Sequence, residues 1–293
     1  MDERGVEGML ARTVLDEINR RHSTQFRLGS RPRGGVNETW FLDGPGQERA
    51  VLKVDAGSLS HLHATAAVVD KLRARGYPTP RWLFVGQVES GQTYHVQEFV
   101  PGELAPIGAP ATALGRQLIE LVEFNAGFDP WPDRNLSSAV VSHFAACIAD
   151  LQSAAPELRQ VVDRYAHLSE QLGLTELPSG EFAHGDFHFY NILVHEGRVS
   201  AVVDVEACGS GTRAIDYGRL LRDTYFGADG NQEVRAMIKS TGEAVAGPEV
   251  LAFCTAAAAI DNLHWRVHCR PVKIPAMLPG FERLAIDLAR SCA

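Results

Sequence analysis

The sequence predicts an α+β fold with a sheet-rich amino-terminal lobe, residues 1–100, and a mainly helical carboxy-terminal lobe, residues 101–293. Three observations support this prediction. The chain has 293 residues, which exceeds the usual size of a single hydrophobic core. Short apolar runs bounded by turn residues concentrate in the first hundred residues. Apolar residues at helical spacing dominate the remainder, and strands followed by helices are typical of α+β proteins.

A glycine-containing turn separates the first two strand-like runs, residues 28–30 and 40–42. The turn includes Gly34, Gly35 and Asn37. Glycine lets the backbone approach a bound phosphate closely, although two adjacent glycines are also typical of an ordinary hairpin. The residues that follow decide between these two interpretations.

The third strand-like run contains Lys53. An unpaired buried charge is costly, so a lysine in an apolar strand requires an anionic or polar partner. The helical stretch at residues 59–75 contains no glutamate that would serve, and it offers His61, His63 or Asp70 as substitutes. These three side chains are also typical of an exposed helix face.

Two more strand-like runs, residues 82–86 and 93–100, complete the amino-terminal lobe. The second run ends at Pro101-Gly102-Glu103, which is a turn signal. We therefore predict that the connection between the lobes lies at this point.

The most informative segment contains Asp186, Asn191 five residues later, and Asp204 after the next apolar runs. Oxygen ligands of this kind suit Mg²⁺, and a carboxylate can orient an attacking hydroxyl or accept its proton. The turn Glu196-Gly197 predicts a hairpin that places Asn191 and Asp204 on paired strands. An isolated aspartate is usually a cap or turn residue, but the three residues together predict phosphoryl transfer.

The segment resembles the catalytic loop of the aminoglycoside phosphotransferase, or antibiotic kinase, family, which has a protein-kinase-like bilobal fold. His184-Gly185-Asp186 and Asn191 match its His-Gly-Asp, four variable residues, Asn pattern, and Asp204 matches its metal-binding aspartate. The resemblance implies that Asp186 is the catalytic residue. It also implies that Asn191 and Asp204 bind magnesium.

Further positions follow from the same resemblance. The segment that begins at Asp216 is similar to a later family segment whose aspartate braces the catalytic loop, and His184 is expected to support the loop as well. Phe189-Tyr190 stands where many members have Pro-Gly. This departure leaves the metal ligands intact, and it is expected to change the shape of the loop on the side that faces the acceptor.

The resemblance also implies a nucleotide site in the amino-terminal lobe. Lys53 occupies the position of the family's phosphate-binding lysine, and the turn before it, with Gly34, Gly35 and Asn37, is similar to a Gly-Gly-x-x-Asn segment but one residue shorter. The family's purine bonds to the backbone of the interlobe connection. The corresponding residues here are Gln97, Glu98, Phe99 and Val100, and backbone contacts do not distinguish ATP from GTP.

The carboxy-terminal lobe is predicted to be helical because apolar residues recur at helical spacing in most of it. One helix is predicted in the amino-terminal lobe, at residues 6–21. The helices predicted in the carboxy-terminal lobe are residues 111–128, 136–153, 156–172, 213–226, 231–246, 248–268 and 275–292.

Acceptor recognition is expected from the late helices and the catalytic loop. Residues 261–273 contain one acid and three fixed cations, which disfavours a highly cationic acceptor. At helical spacing Asp261, His264, Trp265 and His268 could share a face that suits a sugar or a heterocycle, although packing is the more common role for such side chains. His188 is a further candidate. Asp129, Asp133, Arg222 and Asp223 are weaker candidates, typical of surface or helix-end charges.

Composition restricts the partners. The net charge of −8 disfavours a nucleic-acid surface. No apolar segment reaches the roughly 18 residues that a membrane helix needs, and the first residues lack a secretory pattern, so we expect a cytoplasmic protein. The cysteines are odd in number and lack Cys-x-x-Cys spacing, which argues against a disulfide framework and a zinc site built from them. They are Cys147, Cys208, Cys254, Cys269 and Cys292.

Together these features predict a magnesium-dependent kinase that transfers the γ-phosphoryl group of ATP or GTP to a hydroxyl of a small molecule. An antibiotic that is not strongly cationic, such as a nucleoside or peptide type, is the first expected acceptor. A metabolic kinase of a sugar, amino alcohol or homoserine-like substrate is one alternative, and an inert nucleotide-binding pseudokinase is another. Residues 205–215 are too few to form the peptide platform of a protein kinase. The oligomeric state stays open.

Overall fold

The computed structural model describes residues 3–32, 38–54, 57–106, 111–226 and 232–291. It consists of two compact units. The first comprises Met1–Pro101 and Ala201–Glu206, and the second comprises Gly102–Ser200 and Ala207–Ala293. An antiparallel sheet dominates the first unit and helices dominate the second, which confirms the predicted fold class. Gly34, Gly35, Asn37 and Cys292 lie outside the described residues.

The first unit is built on a five-stranded antiparallel sheet with the strand order β1-β2-β3-β5-β4. Residues Val14, Leu15 and Ile18 of the first helix pack with Leu52 and Val96 of the central strands. Its elements are α1 (Glu3–His22), β1 (Arg27–Leu28), β2 (Glu38–Asp43), β3 (Arg49–Val54), α2 (Leu59–Ala74), β4 (Trp82–Gln87) and β5 (Thr93–Glu98).

The alternation of β3 explains where Lys53 points. Leu52 and Val54 belong to the core that α1 covers. Because successive strand residues face opposite sides, Lys53 lies on the other side of the sheet. Leu62 of α2 and Val205 pack in a separate cluster on that side, together with Trp82. The segment Ala201–Glu206 therefore lies within reach of Lys53.

The second unit is mainly helical. Residues 251–260 of one long helix are all buried, as expected for a helix whose apolar residues extend around its whole circumference. Its elements are β6 (Glu103–Leu104), α3 (Thr112–Glu123), α4 (Leu136–Ala154), α5 (Arg159–Leu172), β7 (Glu181–Ala183), β8 (Ile192–His195), β9 (Arg198–Val202, which continues into the first unit), β10 (Gly209–Gly211), α6 (Ala214–Asp223), α7 (Gln232–Ala246), α8 (Pro248–Cys269) and α9 (Ile274–Ser291).

The structure corrects several predicted bounds. Asn191 ends a 3-10 turn that precedes β8, and Asp204 follows the end of β9, so neither residue lies on a paired strand. Asp204 has a φ of 63°, which is incompatible with a continuing strand. Residues 156–158 form a 3-10 turn before α5, and the helices predicted at 111–128 and 213–226 end earlier.

The helices of the described residues include none that combines the length and the apolar character needed to span a membrane.

Candidate active site

The loop that follows β7 is fixed by a buried carboxylate. Asp216, near the start of α6, accepts hydrogen bonds from the backbone N–H groups of His184 at 2.8 Å and Gly185 at 3.0 Å. Gly185 has a φ of 78°, and a Cβ at this position would lie 2.8 Å from the carbonyl oxygen of Ala207. Burial raises the pKa of Asp216 to about 7, although the two N–H groups oppose the shift. Because of this φ and this close approach, the loop requires glycine at position 185.

Asp186, the predicted catalytic residue, is the second carboxylate of interest at this loop. Asn191 donates from Nδ2 to the backbone oxygen and to Oδ2 of Asp186, both at 2.9 Å. His188 Nε2 lies 3.3 Å from Oδ2, and Arg219 Nη1 lies 3.1 Å from Oδ1. Burial alone would raise the pKa of Asp186, but Arg219 and His188 hold it well below its ordinary value. Asp186 is therefore an ionised hydrogen-bond acceptor at neutral pH.

A second buried ion pair supports the same loop. Asp223 accepts a hydrogen bond from the backbone N–H of Phe189 at 3.0 Å, and Arg222 donates to Asp223 at 2.6 and 2.9 Å. Both charged residues are buried. Arg222 and Asp223 lie at the end of α6, as the helix-end prediction has it, but they are not surface charges. The apolar spacing of α6 gives no indication that its last turn is buried, because only the packing of the unit covers that end.

Lys53 lies between two carboxylates of the first unit. Its Nζ donates to Asp204 Oδ1 at 2.5 Å and to Glu206 Oε1 at 2.6 Å. The Lys53 side chain is 4% exposed, whereas that of Asp204 is 41% exposed. Burial opposes the charged form, yet the two carboxylates raise the pKa of Lys53 above its ordinary value. The lysine therefore stays cationic, and one of its partners is accessible to solvent.

Glu206 supplies the carboxylate that α2 lacks. The backbone oxygen of Glu206 contacts His61 Nε2 at 2.8 Å, so α2 interacts with the main chain of the glutamate rather than with Lys53. His63 and Asp70 are exposed on α2. His95 is fully buried, stacks on Trp82 with ring centroids 3.9 Å apart, and lies 3.4 Å from Glu206 Oε1. The Asp-x-Glu spacing of Asp204 and Glu206 was the available sequence signal.

Burial also decides the state of His95. Desolvation lowers the pKa of His95 well below its ordinary value, and the nearby ammonium of Lys53 acts in the same direction. His95 is therefore a neutral ring that packs between Trp82 and Glu206.

The predicted purine-binding residues lie at the end of β5. Gln97 is buried and pairs with Val51 of β3. The carboxylate of Glu98 accepts from Arg73 at 2.8 Å and from the backbone N–H of Arg81 at 2.9 Å. Val100 follows the end of the strand. The side chain of Glu98 is therefore held by neighbouring residues.

Three of the acceptor candidates of α8, namely Asp261, His264 and His268, contact other helices of the second unit, and Trp265 contacts a residue of α8 itself. Asp261 Oδ2 accepts from Arg219 at 3.0 Å and Oδ1 lies 2.9 Å from His143 Nε2. Burial opposes ionisation, but the hydrogen bond from His143 and the charge of Arg219 lower the pKa of Asp261 to about 2. His264 and His268 both contact Asp150. The guanidinium of Arg266 lies 5.6 Å from the ring centroid of Trp265.

A small cavity adjoins Arg219 and Asp261. Its volume is about 30 Å³, and Ile215, Cys254 and Ala257 contribute to its wall. This space holds about one water molecule, so it is too small to be an antibiotic pocket.

The predicted metal ligands have oxygens that fit Mg²⁺. Asn191 uses its Nδ2 for Asp186, and within the described residues its Oδ1 has no hydrogen-bond donor. Asp204 is held by Lys53 through one oxygen and is partly exposed. Amide and carboxylate oxygens are the ligands that Mg²⁺ takes, together with phosphate and water. Asn191 and Asp204 would therefore suit magnesium.

Comparison with protein families identifies the family of the chain. The family described as phosphotransferase enzyme family (APH) matches residues 30–254, which is more than three quarters of the chain. The chain belongs to the phosphotransferase enzyme family. The search among curated proteins found no match.

Solved structures that resemble this phosphotransferase show the same fold. Aminoglycoside phosphotransferase APH(4)-Ia is 16% identical, with 97% of this chain and 99% of that chain covered and a TM-score of 0.65. A thermostable mutant of that enzyme, in ternary complex with AMP-PNP and hygromycin B, is 18% identical, with 92% and 94% covered and a TM-score of 0.61. A putative aminoglycoside phosphotransferase from Ralstonia eutropha is 15% identical, with 95% and 97% covered and a TM-score of 0.63.

The family membership confirms the predicted resemblance and the predicted class of enzyme, a phosphotransferase. At these identities the neighbours show the fold alone.

Proposed function

We propose that this phosphotransferase transfers the γ-phosphoryl group of ATP or GTP to a hydroxyl of a small molecule. The observation that carries the proposal is the ionised Asp186, which is held by Asn191, His188 and Arg219 and retains a side chain that is 35% exposed. An ionised carboxylate fixed in this way can accept a hydrogen bond from an acceptor hydroxyl.

The reaction assigns a role to each group. The acceptor oxygen forms a bond to the γ-phosphorus while the bond from that phosphorus to the β–γ bridging oxygen breaks, and the hydroxyl proton passes to Asp186. Lys53 binds phosphate oxygens of the nucleotide. Asn191 and Asp204 are the proposed ligands of magnesium, which neutralises phosphate charge when bound. Gln97, Glu98 and Val100 remain the proposed neighbours of the purine.

We further propose that the acceptor is an antibiotic without a strong positive charge, such as a nucleoside or peptide type, and that the enzyme confers resistance by inactivating it. The state of Asp261 supports this choice. Its carboxylate already binds Arg219 and His143, so it offers little attraction to a polycationic ligand. His264 and His268 are likewise engaged with Asp150.

The alternative acceptors use the same carboxylate chemistry. A sugar, amino alcohol or homoserine-like metabolite would also present a hydroxyl to Asp186. An inert pseudokinase is disfavoured because Lys53, Asp186, Asn191 and Asp204 are all present and Lys53 retains two carboxylate partners.

A nucleotide-coupled turnover screen tests the proposal. ATP and GTP are each offered with Mg²⁺ and a panel of nucleoside, peptide and aminoglycoside antibiotics and hydroxyl metabolites. Wild type is compared with Asp186→Asn and with Asp70→Asn, whose carboxylate is exposed on α2. We expect one acceptor to gain a single phosphate with wild type and with Asp70→Asn, and mass spectrometry checks the product.

The outcomes separate the hypotheses. Loss of the product in Asp186→Asn supports the kinase, and the acceptor that is modified decides between antibiotic and metabolite. Equal turnover by wild type and Asp186→Asn contradicts the role of Asp186. Nucleotide binding without turnover on any acceptor favours the pseudokinase.

A further inference from the structure

Three side chains of the second unit converge at a point that the phosphotransferase chemistry does not use. Asp150 belongs to α4, and His264 and His268 belong to α8. Asp150 Oδ2 lies 3.2 Å from His264 Nε2 and 2.8 Å from His268 Nε2. One ligand atom from each residue lies within 4.8 Å of the other two. These residues form an imidazole–carboxylate cluster.

The helices explain why the cluster forms. His264 and His268 are four residues apart, so they project from the same face of α8 one turn from each other. Their ring centroids are 4.7 Å apart. Asp150 lies near the end of α4, which packs beside α8 through contacts such as Phe144 with Phe253. The three groups are therefore positioned by two helices with a shared core.

The donor set points to a transition metal. Two imidazole nitrogens and one carboxylate oxygen are typical ligands of Zn²⁺, which in open sites keeps a further position for water. Mg²⁺ prefers oxygen ligands and is disfavoured by two imidazoles. We propose that Asp150, His264 and His268 bind one Zn²⁺ ion, or a divalent transition-metal ion of similar preference.

The exposure of the cluster agrees with such a site. The side chains of His264, His268 and Asp150 are 29%, 46% and 43% exposed. A metal ion can therefore enter from solvent, and water can complete its coordination. The oxygen–nitrogen distances are within hydrogen-bond range and only slightly shorter than the spacing of ligand atoms around a tetrahedral ion, so small side-chain rotations suffice.

Among the described residues, the neighbouring His143 and Cys147 are not part of the group of mutually close ligand atoms. His143 Nε2 contacts Asp261 at 2.9 Å, which occupies that imidazole. Cys147 lies on α4 one turn before Asp150, and burial raises the pKa of its thiol to about 11. The Cys147 sulfur lies 3.3 Å from His143 Nε2. Within the part of the chain that the structure describes, the proposed site has three protein ligands.

The site would join α4 to α8 by metal bonds. Because the ion binds groups that the folded chain brings together, binding should stabilise the folded state. This inference is independent of the proposed function: none of the three ligands takes part in the proposed phosphoryl transfer, and Asn191 and Asp204 remain the magnesium ligands.

Calorimetric titration of the full-length protein with Zn²⁺ tests the site directly. The protein is produced without a histidine tag and is freed of metal with a chelator. Wild type is compared with His264→Gln, His268→Gln and Asp150→Asn. The matched control is His167→Gln, since His167 is an exposed histidine on α5 that lies outside the cluster.

We expect wild type and His167→Gln to bind one equivalent of Zn²⁺ with micromolar or tighter affinity. Each cluster variant should bind at least about tenfold more weakly, as loss of one of three ligands removes a full metal bond. A zinc-dependent rise in the thermal unfolding midpoint should occur in wild type and in the control, and it should be much smaller in the variants.

Absence of Zn²⁺ binding by wild type, or unchanged affinity in a His264→Gln/His268→Gln double variant, would overturn the proposal. Circular dichroism of each variant without metal checks that it is folded, and an unfolded variant is replaced by Asp150→Ala. Mg²⁺ titrated in place of Zn²⁺ should give no heat that depends on these residues.

Discussion

Each unit contains a cation that bridges two carboxylates, and the two cations differ in burial: the Lys53 side chain is 4% exposed and the Arg219 side chain is 15% exposed. In the first unit Lys53 contacts Asp204 and Glu206 at 2.5 and 2.6 Å. In the second unit Arg219 contacts Asp186 and Asp261 at 3.1 and 3.0 Å.

The comparison shows a common division of labour. Asp204 and Asp186 are the more exposed partners of their cations, and they are the proposed magnesium ligand and the proposed proton acceptor, respectively. Glu206 and Asp261 are the less exposed partners and hold the cation in place. The bridging cations also differ: lysine is a compact charge on a flexible stem, whereas arginine is a planar fork with a fixed geometry. The flexible side chain of Lys53 therefore suits its proposed contact with nucleotide phosphate oxygens as well as with carboxylates. The planar guanidinium of Arg219 suits one fixed geometry between its two carboxylates.

Substitution of Asp186 or Asp204 should have the largest effect on activity. We expect Asp186→Asn to lower kcat/KM by about 10²- to 10⁴-fold, because the amide can neither accept the proton nor carry the charge. Asp204→Asn should cause a loss of similar size by weakening magnesium binding. Steady-state kinetics against the acceptor found in the screen measures both. Retention of more than a tenth of the activity in either variant would contradict the assignment.

Substitution of the supporting carboxylates should have intermediate effects that separate the two bridges. Glu206→Gln leaves buried Lys53 with one charged partner, so we expect a stability loss of about 1–3 kcal/mol and weaker nucleotide binding. Asp261→Asn should lower kcat and leave the nucleotide Kd nearly unchanged, since Arg219 belongs to the other bridge. Urea unfolding and nucleotide titration distinguish the two variants. If Glu206→Gln and Asp261→Asn bind the nucleotide with equal affinity, the two bridges do not have separate roles.

Removal of the arginine should change the pH dependence of activity. Arg219 helps to hold the pKa of Asp186 well below its ordinary value, against burial, which raises it. In Arg219→Met the pKa should rise, so activity should decline at mildly acidic pH, where wild type stays active. Profiles of kcat/KM against pH measure this, with Arg164→Met, an exposed arginine of α5, as the control. Identical acid limbs would argue against the ion pair.

The smallest expected effect concerns His143, the second partner of Asp261. The hydrogen bond to Asp261 raises the pKa of His143. A raised histidine pKa contributes stability that is complete below the ordinary pKa and is lost as pH rises through the raised value. His143→Gln should therefore cost more stability near about pH 6 than near about pH 9. The cost should stay below about 1 kcal/mol, since the side chain is 56% exposed.

Urea unfolding at both pH values tests this effect, with His167→Gln as the reference. If His143→Gln lowers the free energy of unfolding equally at the two pH values, Asp261 does not raise the pKa of His143.

Several features could be predicted from the sequence because their signals are local. Short apolar runs in the first hundred residues and helical spacing in the later segments indicated the fold class, which the structure confirms. The motif around Asp186 indicated the family, which the family match confirms. The strand assignments of Asn191 and Asp204 were wrong because a 3-10 turn and a positive φ end the pairing, and neither has a strong signal in composition.

The sequence by itself determined the α+β architecture and the family, since periodicity and short motifs depend on neighbouring residues. Only the tertiary structure decided the partners of the charged side chains. Glu206 reaches Lys53 across 153 residues, and Asp150 reaches His268 across 118. Such contacts depend on which faces of distant elements are packed together. Burial then determines whether a charge such as that of Asp223 is a surface group or a support of the catalytic loop.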